Sequence, residues 1–121
     1  MRILCADDES DIRTILELAL GLDPELEAEF FDNGPALIAR ARAGGVDAIL
    51  LDAMMPDVDG YETCRRLKAD PSTAAIPVVF LTARVQRGER DEALELGAVA
   101  CLSKPFDPMT IASELRAALG V

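Results

Sequence analysis

At 121 residues, half of them apolar and with four Phe, one Tyr and no Trp among them, the chain suits one domain over residues 1–121 with a core built from Ala, Leu, Ile and Val. Its formal charge of −10 sets it against nucleic-acid phosphates and anionic membranes, which offer its carboxylates no cation, and favours a cationic ligand or a basic partner. The absence of His excludes Ser-His-Asp and Cys-His catalysis and every His-ligated metal, and Cys5, Cys64 and Cys101 are spaced for neither a disulfide framework nor a zinc site, so they read as reduced, mostly buried thiols.

The chain opens with a short apolar run, Ile3-Leu4-Cys5-Ala6, that reads as a buried strand and ends at Asp7-Asp8-Glu9. No signal-peptide core precedes it and no apolar run reaches membrane-spanning length, so a cytoplasmic location is expected. Ile12, Ile15, Leu16, Ala19 and Leu20 then recur at helical spacing, with Gly21 and Asp23-Pro24 as the stop. From Leu26 to Phe31 apolar and charged residues alternate at first, which predicts a strand at a sheet edge. Asp32-Asn33-Gly34-Pro35 starts a second helix that turns Leu37, Ile38 and Ala41 inward and ends at Gly44-Gly45.

Val46 to Leu51 is apolar on both faces apart from Asp47, which suits a central strand, and it runs directly into Asp52. The residues that follow, Ala53-Met54-Met55-Pro56-Asp57-Val58-Asp59-Gly60, form a turn and the start of a third helix reaching Ala69. Ile76 to Leu81 is a fourth strand followed by Thr82-Ala83. A charged helix from Arg87 to Leu96 has a narrow apolar stripe (Ala93, Leu94, Leu96) and is expected to pack lightly. Val99 to Leu102 is a short fifth strand ending at Ser103-Lys104-Pro105, after which Asp107-Pro108 predicts the N-cap and first turn of a last helix carrying Ile111, Ala112, Leu115 and Leu119.

Five strand–helix units in strict alternation predict an α/β fold, a doubly wound parallel sheet with helices on both faces. With the second strand at an edge and the first and third buried, the flavodoxin-like order 2-1-3-4-5 follows. No linker or attached output domain is expected. In such a sheet all strand carboxyl ends share one edge, where ligands bind. Four of the five strands end there in residues with chemical use: Asp7-Asp8, Asp52, Thr82 and Lys104. Singly, each has a plain structural role as cap, turn former or solvated side chain; their coincidence on one edge is what points to chemistry. Carboxylates crowded together repel unless protonated or bridged by a cation, and an all-oxygen set makes Mg2+ the first choice. Beside such a cation and Lys104, Asp52 has the setting to attack phosphorus in line and form an acyl phosphate.

On the residues Asp7-Asp8-Glu9, Leu51-Asp52-Ala53-Met54-Met55-Pro56-Asp57-Val58-Asp59-Gly60, Leu81-Thr82-Ala83 and Ser103-Lys104-Pro105-Phe106, the chain resembles a receiver domain of a two-component response regulator over essentially its whole length. The resemblance implies that Asp52 is phosphorylated by a histidine kinase, a phosphotransfer protein or a small phosphodonor. It also implies that Mg2+ is bound by the side chains of Asp8 and Asp52 and the backbone carbonyl of Met54, with Asp7 supporting through water. Thr82 and Lys104 are implied to contact the phosphoryl group, the Lys104-Pro105 bond to be cis, and Met54 and Arg84 to overhang the site. The family's partner surface falls on roughly Arg87 to Leu119, for an output protein or a second copy; no nucleic acid is contacted directly and no membrane is involved. One position departs from the pattern, because Cys101 stands where the family usually carries a switching Tyr or Phe. Output is then expected to travel through Thr82, the loop to Arg87 and the fourth helix.

Two other readings use the same residues. Asp57-Val58-Asp59-Gly60 imitates the Asp-x-Asp-Gly signature of haloacid-dehalogenase-type phosphohydrolases, although that signature directly follows a strand and here Asp52 holds that place. A receiver-like interaction module without phosphate turnover is the other alternative.

Overall fold

The computed structural model describes residues 1–83 and 87–121. In chain order the elements are β1 (Arg2–Ala6), α1 (Ser10–Leu20), β2 (Glu27–Phe31), α2 (Gly34–Arg42), β3 (Ala48–Asp52), α3 (Gly60–Ala69), β4 (Val78–Thr82), α4 (Arg87–Glu95), β5 (Ala100–Ser103) and α5 (Ile111–Leu119). The strands form one parallel sheet in the order β2-β1-β3-β4-β5, as the alternation and edge pattern predict. β3 and β4 are buried along their full length, whereas β2, at an edge, is at least partly exposed throughout.

The period-two alternation of the strands divides the core into two layers. On one face Leu4, Ala6, Ile49, Leu51, Val78 and Phe80 pack against Leu37 and Ile38 of α2, Cys64 and Leu67 of α3, and Ala93 of α4. On the other, Ile3, Cys5, Ala48, Leu50, Val79 and Leu81 pack against Leu16, Ala19 and Leu20 of α1 and Ile111 and Leu115 of α5. Consecutive residues of each central strand thus serve opposite helical layers, which is why those strands read as unbroken apolar runs. In α4 the narrow stripe is realised by buried Ala93, while Leu94 remains exposed. Cys5 and Cys64 are buried and Cys101 is half-buried, and no disulfide joins them.

Element boundaries differ from the sequence reading in a consistent direction. β3, β4 and β5 begin one or two residues later than their apolar runs, and each takes in the polar residue at its end: Asp52, Thr82 and Ser103. Apolarity marks where side chains are buried, but pairing continues as long as a neighbouring strand offers partners, and Asp52 opposes Leu81 while Thr82 opposes Ser103. The last helix is a larger correction, since it starts at Ile111 and not at Pro108. Asp107 instead closes a separate turn. Its side chain accepts from the Met109 amide at 2.8 Å and its carbonyl accepts from Thr110 and Ile111 at 3.0 Å each.

Candidate functional site

Backbone bonds between neighbouring strands fix the residues of the carboxyl edge. The Asp7 amide donates to the Phe31 carbonyl at 3.1 Å, Ala53 to Leu81 at 3.1 Å, and Lys104 to Thr82 at 2.8 Å. Each chemically interesting residue therefore lies at the last rung of the ladder or one step beyond it, where the side chain is free of the sheet but its backbone is not.

Three of these side chains meet directly. Lys104 Nζ donates to Asp7 Oδ2 at 2.9 Å and lies 3.2 Å from Asp52 Oδ2. Asp7 and Asp52 are 1% and 4% exposed, so one ammonium faces two carboxylates that have almost no water. The second oxygens are also engaged: Asp7 Oδ1 accepts from the Glu9 amide at 2.9 Å, and Asp52 Oδ1 from the Met54 amide at 3.2 Å. Burial and the nearby charge of Asp7 push the Asp52 carboxyl up to about 6, against the pull of the Met54 amide and Lys104. Burial by itself lowers Lys104, but its bond to Asp7 and the two carboxylate charges outweigh it and leave the ammonium raised.

Asp8 and Glu9 are exposed beside this pair, and carboxylate oxygens from Asp7, Asp8, Glu9 and Asp52 all lie within 4.8 Å of one another. An all-oxygen, anion-rich set fits a hard cation that keeps part of its water, as Mg2+ does. Thr82 is 4% exposed at the neighbouring strand end. Met54, whose amide bonds Asp52, is 68% exposed; Arg84, expected to overhang the site, lies outside the described residues. The Lys104–Pro105 bond is cis, as the resemblance implies.

The loop after Asp52 is held by a close approach at Gly60. The Gly60 amide donates to the Ala53 carbonyl at 3.1 Å, and any Cβ at this position would collide with the Asp52 carbonyl oxygen, so glycine is required. Asp59 caps α3 by accepting from the Glu62 amide at 2.8 Å, and Asp57 has a left-handed φ of 63° in the turn before it. Asp57 and Asp59 are therefore turn and cap residues, and the Asp-x-Asp-Gly run does not follow a strand. Sequence reasoning assigned no role to two further features. Glu9 joins the carboxylate cluster, a possibility the acidic triplet itself signals. An apolar groove of about 380 Å³ opens beside Lys104, lined by Ile12, Ile15, Ala83, Pro105, Phe106 and Pro108 among others.

The family model for the response regulator receiver domain matches residues 3–116. The response regulator PleD of Caulobacter vibrioides is 41% identical over 121 residues, covering 95% of this chain and 25% of that protein. The phosphate regulon transcriptional regulatory protein PhoB of Pseudomonas aeruginosa is 39% identical over 119 residues, covering 97% of this chain and 51% of that one. The chain thus spans about a quarter to a half of these relatives' lengths. Among solved structures, the chemotaxis protein CheY4 of Vibrio cholerae superposes with a TM-score of 0.88 at 27% identity, over 97% of both chains. The receiver domain of the Pseudomonas aeruginosa sensor histidine kinase PA1611, solved with a magnesium ion in its active-site cleft, gives 0.85 at 28% identity, over 99% of this chain and 98% of that one.

Proposed function

This chain belongs to the receiver domains of two-component response regulators, and from that premise we propose that Asp52 is its phosphoacceptor, with Lys104 and Thr82 receiving the phosphoryl oxygens. The observation that carries the reading is the single ammonium of Lys104 held between buried Asp7 and Asp52 at a shared strand edge. A lysine in that position already faces the atom that becomes phosphorylated, so no rearrangement of the chain is needed to bring a cation to the transferred group.

The step is an in-line displacement. A carboxylate oxygen of Asp52 attacks phosphorus, the bond from phosphorus to the donor's nitrogen or acyl oxygen breaks, and its electron pair leaves with the donor. Lys104 exchanges part of its contact with Asp52 for the incoming phosphoryl oxygens, while its bond to Asp7 keeps the ammonium in place. The Thr82 hydroxyl donates to another of those oxygens. The Met54 amide donates to Asp52 Oδ1 and steadies that oxygen, and the exposed Met54 side chain limits the approach of water to the acyl phosphate. Asp8, Asp52 and the Met54 carbonyl would hold Mg2+, with Asp7 behind a water. When bound, that ion neutralises phosphoryl charge and relieves the repulsion among the carboxylates.

The donor is a histidine kinase, a phosphotransfer protein or a small acyl phosphate, and the chain accelerates its own labelling and hydrolysis. Output passes to a protein partner or a second copy through α4, β5 and α5. Cys101 places no ring on that face, so the change runs from Thr82 toward α4. Among the described residues no helix is long and apolar enough to cross a membrane. The test is incubation with acetyl phosphate and Mg2+, followed by mass spectrometry of the intact chain. A labile phosphoryl adduct that is lost in Asp52→Asn is expected; an adduct that persists in that variant would move the acceptor to another carboxylate and overturn the assignment.

A further inference from the structure

The segment after Asp52 is closed into a circuit with β4, and one contact in that circuit has no counterpart in the site chemistry. Ala53 donates to the Leu81 carbonyl, Gly60 donates to the Ala53 carbonyl, and Gly60 packs directly on the Asp52 carbonyl. The next residue, Tyr61, returns to β4 through its side chain, its ring centroid 5.1 Å from that of Phe80 and tilted 38°. Phe80 is 1% exposed and lies two residues before Thr82, on the same face of the strand. The aromatic contact thus bridges the first turn of α3 and the strand that ends in Thr82. In the ladder the β5 neighbour of Phe80 is Cys101, a small side chain.

We propose that Tyr61 is a positioning residue for phosphoryl acceptance: its ring, seated on Phe80, holds the β3–α3 loop against β4 and sets the span between the Asp52–Met54 segment and Thr82. The inference rests on the phosphoacceptor reading of Asp52. Its physical basis is that tilted ring pairs add specific attraction to the burial of both rings, so a defined ring-to-ring distance is favoured over a sliding contact. A loop fixed at Gly60 by hydrogen bonding and at Tyr61 by ring packing cannot shift toward or away from Thr82 without breaking one of the two. Catalysis by positioning is sensitive to such shifts, since misplacement by about 1 Å can cost on the order of 100-fold in rate.

Tyr61 is the chain's one tyrosine and there is no tryptophan, so its emission reports this contact without labelling. The unmodified chain is titrated with beryllofluoride in the presence of Mg2+ while tyrosine emission is followed, and acetyl-phosphate labelling rates are measured for it and for Tyr61→Leu and Tyr61→Phe. The expected results are an emission change in the unmodified chain that is absent in Asp52→Asn, a labelling rate lowered roughly tenfold in Tyr61→Leu, and recovery in Tyr61→Phe, which keeps the ring. Labelling of folded Tyr61→Leu at the unmodified rate overturns the proposal, as does equal loss in the Leu and Phe variants, which would assign the effect to the hydroxyl. Should Tyr61→Leu not fold, the emission titration decides, and an unchanged signal at saturating mimic counts against the ring. A chain that takes up no label at all fails the phosphoacceptor reading itself and takes this inference with it.

Discussion

β1 carries charge at both of its ends, and the fold treats the two ends in opposite ways. At the amino end, Arg2 bonds Glu27 and Glu29 at 2.8 Å each, and Glu29 also receives Arg40 at 3.1 Å. These side chains keep substantial contact with water, and the guanidiniums of Arg2 and Arg40 hold the Glu29 carboxyl below its ordinary range. At the carboxyl end, Asp7 and Asp52 are buried and share the ammonium of Lys104, and the Asp52 carboxyl is raised, not lowered. Contact geometry is similar at the two ends. Burial and the charges in contact differ, and they decide the outcome: at the hydrated amino edge Glu29 meets two guanidiniums, whereas at the buried carboxyl edge Asp7 and Asp52 share the ammonium of Lys104.

Removing Lys104 tests this contrast most severely. Lys104→Met leaves two buried carboxylates without a cation, and the metal-free protein should lose about 2–4 kcal/mol in urea unfolding. Mg2+ should restore part of that loss, because it supplies the missing charge; a variant as stable as the unmodified chain without metal would show that water already compensates the pair. A smaller effect of opposite sign is expected from Asp52→Asn, which should stabilise the metal-free protein by about 1–2 kcal/mol at pH 8. The native Asp52 carboxyl takes up its proton near pH 6, while in the unfolded chain it does so near the ordinary value of 3.8. Between those values the native state binds more protons, so this group makes the unmodified protein more stable as pH falls from about 7 toward 4, and less stable as pH rises through 6. That slope should be missing from Asp52→Asn in denaturant titrations across the same range. At the other end of β1, Arg2→Met should leave the unfolding midpoint almost unchanged, because exposed pairs contribute little. A large shift there would break the distinction between the two ends.

Much of this was legible from residue order alone. The alternation of apolar runs with helical spacing, and the half-exposed pattern of Leu26 to Phe31, are enough to order the sheet, and the polar residues closing four strands identify the edge that matters. What could not be read was distance between segments far apart in the chain. Nothing in the acidic triplet says that Asp7 points into the sheet edge and touches Lys104 while Asp8 turns outward, because that choice depends on the pairing of β1 with β2 and β3. Nor does Tyr61 announce its contact with Phe80: its place in the helical repeat marks an inward face, and only the crossover of α3 onto β4 supplies the partner. The late start of α5 has a local cause that a capping rule misreads, since Asp107 accepts from Met109 and closes its own turn before the helix begins.

The bridge between Asp7 and Lys104 joins residues 97 positions apart in the chain. During synthesis the acidic side of the cluster leaves the ribosome well before its counter-charge, so the cluster cannot become electrostatically complete until β5 has docked beside β4. A nascent or truncated chain that displays Asp52 but lacks Lys104 therefore holds two crowded carboxylates without the ammonium they share. The order of elements along the chain thereby ties assembly of the carboxylate–ammonium cluster to the docking of β5.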